Sequence, residues 1–159
     1  MPESGRALLC TPASHALGGG LVRAALSRRH TLSILPGWDP AQVLQTIEAR
    51  AITSTVMVPT QFVRLLKLDA REREGYDLSS LHWVLHTAAP CPPWAKREMI
   101  DWFGPVIVEL YGSSEGTGPV ICTSQEWLER PGTVGRSSLL ELSIVDDDED
   151  ELLGKDADE

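Results

Sequence analysis

One stretch decides the fold of this chain: Val106-Ile107-Val108-Glu109-Leu110-Tyr111-Gly112-Ser113-Ser114-Glu115-Gly116-Thr117-Gly118. Residues 106–110 are β-branched and apolar apart from Glu109, which is typical of a strand buried between two layers of helices. The strand then breaks into a polar turn built on three glycines. In open α/β sheets ligands bind beyond the carboxyl ends of the strands. The turn, with its aromatic ring, hydroxyls and carboxylate, is therefore the predicted site.

Strand and helix patterns alternate along the residues before this strand. Strands are predicted at residues 31–35, 54–58 and 82–87, and helices from the loop 11–20, from Asp39-Pro40, from Pro59-Thr60 through the charged run 69–74, and from Pro92-Pro93. Asp39 is predicted to cap its helix, with proline at the first helical position. This alternation indicates right-handed βαβ crossovers. We predict an α/β protein with three layers, α/β/α, and a mostly parallel sheet.

The pattern changes after Gly118. Residues 119–138 are predicted to be irregular, with one helical turn near 125–128. Residues 140–145 alternate as a strand that enters an acidic turn, and 151–153 would form the return arm of a β-hairpin. We therefore predict an α/β subdomain at residues 1–138 and the start of a β-rich segment at 139–159. The acidic run 146–151 lacks the glycine and ligand spacing of a calcium loop, so we interpret it as a solvated turn.

Composition excludes several classes of protein. The net charge of -9 is concentrated at one end, because residues 146–159 hold 9 of the 23 acidic residues and the remainder has 14 acidic against 13 basic residues. A nearly neutral body without a basic stripe argues against a nucleic-acid partner. No apolar run approaches the ~20 residues of a transmembrane segment. Three scattered cysteines and no signal peptide favour a reducing, cytoplasmic location.

The turn also fits a second motif, the nucleophile elbow of hydrolases. Gly112-Ser113-Ser114-Glu115-Gly116 satisfies Gly-x-Ser-x-Gly and follows a predicted strand. The histidine of that triad comes after the serine, yet all four histidines of the chain precede Ser114. The hydrolase interpretation therefore fails unless the chain is a piece of a longer protein.

Residues 111–115 resemble the Tyr-Gly-x-Thr-Glu motif of the adenylate-forming (AMP-binding) superfamily. Further blocks resemble that family in the same order along the chain: Thr11–His15, Trp38–Pro40, Val56–Thr60, Tyr76–Leu81, His86–Pro90, Pro131–Gly135 and Leu142–Asp146. The resemblance is greatest to fatty-acid-type acyl-CoA synthetases. It implies a ligase that uses ATP, Mg²⁺ and coenzyme A, forms an acyl-AMP from a small carboxylic acid, and passes the acyl group to coenzyme A.

The resemblance also implies roles for individual residues. Tyr111 would stack on adenine, and the other nucleotide-binding residues would be Thr87, Ala88, Ala89, Pro90, Gly112 and Ser114. Ser114 would bond the α-phosphate and Glu115 would hold Mg²⁺, which makes these two the catalytic candidates. His15, Gly18 and Gly19 would contact the acyl substrate.

Parts of the family pattern are absent from this sequence. They are the phosphate loop ending in Pro-Lys-Gly, the Tyr-x-Thr-Gly-Asp segment, and the small C-terminal domain with its catalytic lysine. We therefore expect a middle fragment of a larger enzyme that is inactive alone and self-associates through exposed apolar faces. The alternative is a non-catalytic α/β module that binds a nucleotide or an acyl group, or mediates contacts.

Overall fold

A computed structural model describes residues 5–113 and 119–137. Its elements follow the chain as β1 (Arg6–Leu9), α1 (Ala16–Ser27), β2 (Thr31–Ile34), α2 (Pro40–Ala49), β3 (Ser54–Met57), α3 (Pro59–Leu66), α4 (Ala70–Glu74), β4 (Trp83–His86), α5 (Pro93–Phe103), β5 (Ile107–Tyr111), β6 (Val120–Thr123) and α6 (Ser124–Glu129). None of these helices has the length and apolar character needed to cross a membrane.

The strands form one sheet in the order β2-β1-β3-β4-β5-β6. Every pairing from β2 to β5 is parallel, and β6 runs antiparallel to β5. The carboxyl ends of β1, β3, β4 and β5 therefore meet at one edge. The predicted α/β class and mostly parallel sheet are confirmed.

Helices cover the two faces of the sheet unequally. On the crowded face, α2, α3, α5 and α6 bury a continuous core that includes Leu44, Phe62, Met99 and Trp127. On the α1 face, α1 alone among the described helices packs on the strands, and the buried cluster is limited to Ala7, Leu9, Leu21, Ala25, Val56 and Leu85. The three layers are present, but within residues 5–113 and 119–137 one of the outer layers is a single helix.

Local sequence signals explain where several helices begin. Asp39 caps α2 as predicted, because its Oδ1 accepts from the backbone N–H of Gln42 at 2.8 Å, and Pro40 is the first residue of the helix. Thr123 and Glu126 cap α6 reciprocally, each accepting the other's backbone N–H. The helical turn predicted near residues 125–128 is this helix.

The prediction of secondary structure was wrong or incomplete at three places. The helix expected to run through the charged segment 69–74 ends at Leu66, and Asp69 caps a separate helix, α4. The first strand, β1, was not predicted, although it is a short apolar run. Residues 120–123, predicted to be irregular, pair with β5 as β6. The hairpin predicted for residues 140–153, within the predicted β-rich segment 139–159, lies outside the described residues.

Candidate functional site

A cavity of about 990 Å³ opens at the carboxyl edge of the sheet, on the α1 face. Its lining residues are Thr11, Pro12, His15, Ala16, Leu17, Gly20, Leu21, Ala24, Val56, Val58, Gln61, Trp83, Leu85, Thr87, Ala88, Leu110, Gly112, Ser113 and Pro119. Most of these side chains are apolar, and the polar ones come from the loops that follow the strands and, in the case of Gln61, from the first turn of α3. The cavity is of the size that holds small-molecule ligands in proteins.

The long walls of the cavity are one helix and one sheet face. Leu17, Gly20, Leu21 and Ala24 lie on the same side of α1, since they follow the spacing of three and four residues. Facing them are alternate residues of the strands, among them Leu85 and its neighbour Trp83 two positions earlier in β4. The result is an apolar slot between α1 and the sheet.

Polar groups lie around the mouth of the slot. His15 precedes the first residue of α1, and its side chain is exposed and lines the cavity. Thr11 is buried, and its hydroxyl has no hydrogen-bond partner among the described residues. Buried Gln61 accepts from the backbone N–H of Val58 at 2.9 Å and donates to the carbonyl of Cys10 at 3.3 Å. Gln61, which the sequence did not single out, thereby joins the ends of β1 and β3.

The three glycines of α1 have different surroundings. A Cβ on Gly18 would lie 2.3 Å from the carbonyl oxygen of Pro12, so no larger residue fits without a shift of the backbone. A Cβ on Gly19 would lie 3.1 Å from the carbonyl oxygen of Ala13. Both predicted acyl-contact glycines therefore press α1 against the loop 11–15. Of these three glycines, Gly20 lines the cavity.

The predicted adenine turn, residues 87–90, follows β4 and reaches the cavity through its first half. Thr87 and Ala88 line the cavity, whereas Ala89 and Pro90 are exposed on the surface beside it. Ala88 has a φ of 76°, a left-handed backbone conformation that residues with a Cβ rarely adopt. The turn therefore holds backbone strain at the cavity wall.

The end of β5 lies beside this turn. His86 pairs with Glu109 in the parallel register, so the segments that follow the two strands leave the sheet side by side. Tyr111 ends β5 with its side chain 60% exposed, and Gly112 and Ser113 line the cavity. Thr87, Ala88, Gly112 and Ser113 are thus brought together, with Tyr111 adjoining them. Ser114 and Glu115 lie outside the described residues.

A buried charge cluster supports this region from the crowded face. The ammonium group of Lys96 in α5 donates to the carboxylate of Glu109 in β5, and the lysine side chain is almost fully buried. The Nε2 atom of His86 lies 3.7 Å from the same carboxylate, and neither ring nitrogen has a hydrogen-bond partner among the described residues. Burial, followed by the charge of Lys96, lowers the pKa of His86 to about 3. His86 is therefore neutral at pH 7.

The sequence contained one signal for this cluster. Glu109 is the charged residue inside an otherwise apolar strand, and a buried carboxylate requires a partner. The position of Lys96 could not be deduced, since it falls between the apolar residues Ala95 and Met99 on a helix whose rotation only the structure defines. Aromatic packing against Phe62, with ring centroids 5.3 Å apart, places His86 in the same core.

The cysteines and acidic residues of the described ranges do not form a reactive or metal-binding centre. Burial raises the pKa values of the Cys10 and Cys91 thiols to about 11, so both are protonated at neutral pH. Across residues 5–113 and 119–137, no three His, Cys, Asp or Glu side chains converge as metal ligands would. Among the described residues, the groups placed to contact a ligand are those of the cavity and its rim.

Comparison with known families agrees with this geometry. The profile of the family described as "AMP-binding enzyme" matches residues 1–158. This chain is a member of the AMP-binding enzyme family. Among curated relatives, a medium/long-chain-fatty-acid–CoA ligase of Mycobacterium tuberculosis is 37% identical over 122 residues, which are 77% of this chain and 20% of that protein. A 4-coumarate–CoA ligase-like protein of Arabidopsis thaliana is 31% identical over 153 residues, 92% of this chain and 27% of that protein.

Solved structures show the same fold. The amide bond synthetase of Marinactinospora thermotolerans matches with a TM-score of 0.84 and 26% identity, over 96% of this chain and 31% of that chain. The chain thus spans about a fifth to a third of the AMP-binding enzymes that it matches. Its sheet and helices correspond to part of a larger protein in each comparison.

The Pro-Gly-x-x-Gly block of this AMP-binding chain has a structural explanation. Gly132 and Gly135 both have left-handed backbone conformations, with φ of 99° and 95°. A Cβ on Gly135 would lie 1.9 Å from the carbonyl oxygen of Ile121, where residue 136 bridges to β6. This glycine therefore allows the chain to close against the edge of the sheet.

Proposed function

We propose that this chain forms the nucleotide and acyl-binding part of an ATP-dependent acid-CoA ligase. The observation that supports this most directly is the cavity, because it joins an apolar slot to the paired rims Thr87-Ala88 and Gly112-Ser113. An apolar slot suits the body of a carboxylic acid, and a polar rim of small residues lets backbone approach a planar base and phosphates closely. The two curated relatives described above are named as a CoA ligase and a CoA ligase-like protein.

We assign the nucleotide to the rim and the acid to the slot. The exposed ring of Tyr111 would stack on adenine, with the turn 87–90 on the other side of the base. Ser114 would bond the α-phosphate. The imidazole of His15, at the mouth of the slot, would lie beside the carboxylate of the acid. Gly18 and Gly19 would contribute by holding α1 against the loop 11–15 rather than by touching the substrate.

The proposed reaction has two steps. In the first, a carboxylate oxygen attacks the α-phosphorus of ATP, and the bond to the β-phosphate breaks to release pyrophosphate. In the second, the sulfur of coenzyme A attacks the acyl carbonyl and AMP leaves. The described residues would contribute binding and orientation, since they place the rim for the nucleotide next to the slot for the acid.

Mg²⁺ binding rests on Glu115, which lies outside the described residues. The described ranges supply no cluster of ligands for it. We expect the 159-residue chain to bind nucleotide and acid without turning them over, because no residue of this chain takes the role of the catalytic lysine that the family resemblance implies.

Calorimetric titration with an acyl-sulfamoyl-adenosine, a non-hydrolysable mimic of acyl-AMP, tests the proposal. We expect saturable binding that the Tyr111→Ala substitution weakens by about 10-fold to 100-fold, the effect of losing one base-aromatic stack. The control is Trp94→Ala, which removes a 52% exposed aromatic side chain from α5, a helix of the crowded face. The titration is repeated with ATP, with and without Mg²⁺. If Mg²⁺ increases the affinity for ATP, Glu115→Ala should abolish that increase.

The opposite result has a clear meaning. A folded chain that binds neither the mimic nor ATP would contradict the assignment of the rim, and the non-catalytic alternative would take its place. Formation of acyl-AMP by the purified chain would contradict the expectation that it is inactive alone.

Two further parts of the proposal concern the chain as a whole. We propose that it acts in the cytoplasm, and that its thinly covered α1 face promotes self-association. Light scattering over a range of concentrations measures the second point. A constant monomer mass at high concentration would contradict it.

A further inference from the structure

The slot between α1 and the sheet has a depth that the backbone defines. Residues that line it extend along α1 from Ala16 to Ala24, which at about 1.5 Å per residue spans about 12 Å. On the opposite wall, lining residues extend along β4 from Thr87 back to Trp83, which at about 3.3 Å per residue spans about 13 Å. The two walls give the same depth independently.

Trp83 and Ala24 lie at the end of the slot farthest from the mouth. α1 runs back from the carboxyl edge of the sheet, so Ala24 is near its far end, and Trp83 is the first residue of β4. Trp83 is partly buried and packs against the apolar cluster of the α1 face. An indole is the bulkiest side chain a protein can place there, whereas Ala24 on the helical wall has one of the smallest.

Gly20 lies midway along the helical wall. A Cβ added to Gly20 would meet no heavy atom within 4 Å, which shows open space on that side of α1. Gly20 also lines the cavity. The middle of the slot is therefore kept wide by the absence of a side chain, whereas its far end is occupied by an indole.

We propose that Trp83 sets the upper length of the acyl group that the slot accepts, at about ten carbons. An extended alkyl chain advances about 1.3 Å per carbon, given C–C bonds of about 1.5 Å, so a depth of about 12 to 13 Å corresponds to that number. The inference deepens the proposed function and rests on it for the identity of the ligand as a carboxylic acid. Gly20 provides the width through which the acyl group passes.

Competition binding tests the length limit without a nucleotide. Saturated unbranched carboxylates of about six to about sixteen carbons would displace anilinonaphthalene sulfonate from the chain, below their micelle concentrations. Each added methylene that enters the slot should strengthen binding about fourfold. We expect this increase to stop near ten carbons, because further methylenes would meet Trp83 or remain in water.

Two substitutions give different signatures. Trp83→Ala should move the break in the series to longer acids by about three or four carbons, the approximate depth of an indole. Gly20→Leu should weaken all acids beyond the shortest, since the new side chain occupies the middle of the slot. Leucine also raises helix propensity at this position, so loss of folding is not expected. Trp94→Ala, on the crowded side, should leave the series unchanged.

The results separate this inference from the proposed function. Three results would overturn the length limit. The first is a chain length of maximal affinity that does not change in folded Trp83→Ala, and the second is an affinity that keeps rising beyond twelve carbons in the wild type. The third is failure of every acid to bind. Binding of the acyl-sulfamoyl-adenosine with normal sensitivity to Tyr111→Ala would leave the nucleotide assignment standing in each of those cases. Circular dichroism confirms that each variant is folded before it is used.

Discussion

The two faces of the sheet are built from the same strands and differ in what covers them. On the crowded face, side chains from four helices interlock into one core that contains Phe62, Lys96 and Met99. On the α1 face, one helix with three consecutive glycines leaves a cavity of about 990 Å³. Alternate residues of a strand face the core and the cavity: in β5, Ile107 lies in the core and Glu109 pairs with buried Lys96, whereas Leu110 lines the cavity.

This difference teaches where stability and binding reside. The van der Waals contacts of close packing stabilise a folded domain. Residues around a cavity lack some of these contacts, and the space is left for a ligand. The crowded face should therefore account for most of the free energy of unfolding, and the α1 face should tolerate substitutions that change binding. Each of the following substitutions compares the two faces, in order of decreasing expected effect.

The largest effect is expected from breaking the buried pair on the crowded face. Lys96→Met leaves the carboxylate of Glu109 without its partner and should lower the free energy of unfolding by about 3 to 5 kcal/mol. Adding Glu109→Met to Lys96→Met should restore most of that loss, because the uncompensated charge disappears. Urea unfolding followed by circular dichroism measures both. Equal stabilities of the single and double variants would show that the unpaired carboxylate of Glu109 is not what destabilises Lys96→Met.

A matched pair of leucines compares packing on the two faces directly. Leu65 is fully buried in α3 on the crowded face, and Leu65→Ala should cost about 2 to 5 kcal/mol. Leu17 is partly exposed on α1 where it borders the cavity, so Leu17→Ala should cost less than about 1 kcal/mol. Urea midpoints of the two variants test the contrast. A similar loss in both would mean that the α1 face is packed more tightly than its cavity indicates.

We expect low pH to destabilise the chain through His86, which lies on the crowded face. His86 has a pKa of about 3 in the folded chain, below the ordinary value of 6.5, so protons bind it preferentially after unfolding. Its contribution to stability is complete above pH 6.5 and is lost as the pH falls toward 3. At pH 5 the loss should be about 2 kcal/mol relative to pH 8.

Two histidine variants isolate this effect. His86→Met removes the group that titrates and should flatten the stability profile between pH 6.5 and 5. His82→Met, at an exposed position just before β4, should keep the slope of the wild type. A profile that stays steep in His86→Met would assign the acid sensitivity to other groups.

The smallest effect concerns strain at the cavity rim. Ala88 has a left-handed φ of 76°, which costs a residue with a Cβ about 1 to 2 kcal/mol. Ala88→Gly should stabilise the chain by about 0.5 to 1 kcal/mol after allowance for the greater freedom of glycine when unfolded. Ala89→Gly, one residue later, should destabilise slightly for the same entropic reason. Thermal unfolding compares the two, and the same sign in both would contradict the strain.

Those parts of the fold that depend on local sequence periodicity were predictable from the sequence. The apolar run before Tyr111, the cap at Asp39 and the alternation of elements depend on neighbours within one turn or one strand, and these predictions were confirmed. β6 was missed because its alternation of two buried and two exposed residues covers only four positions, which is too short to distinguish from a loop. Its identity as a strand depends on pairing with β5.

Residues of the candidate site were predictable where they belong to a local sequence motif. They were not predictable where their role depends on a contact with a residue distant in the sequence. Thr87, Ala88, Gly112 and His15 were identified from the resemblance and do line the cavity. Gln61 and Lys96 were not identified, because their partners, Cys10 and Glu109, lie 51 and 13 positions away and meet them only in the folded chain. Lining the cavity does not test what a residue binds, so the nucleotide and acyl roles of the four cavity residues, like those of Ser114 and Glu115, stay predictions.

The order of strands in the sheet also has a consequence for how the chain folds. β1 pairs with β3 across 47 residues, from Ala7 to Ser54, whereas Tyr111 of β5 pairs with Val120 of β6 only nine positions later. Closing the longer loop costs about 1.5 kcal/mol more in chain entropy. We expect the local β5–β6 contact to form early and β1 to be inserted late between β2 and β3. Pulse-labelling hydrogen exchange would show protection at Tyr111 before Leu8, and the reverse order would mean that the sheet grows from its amino-terminal strands.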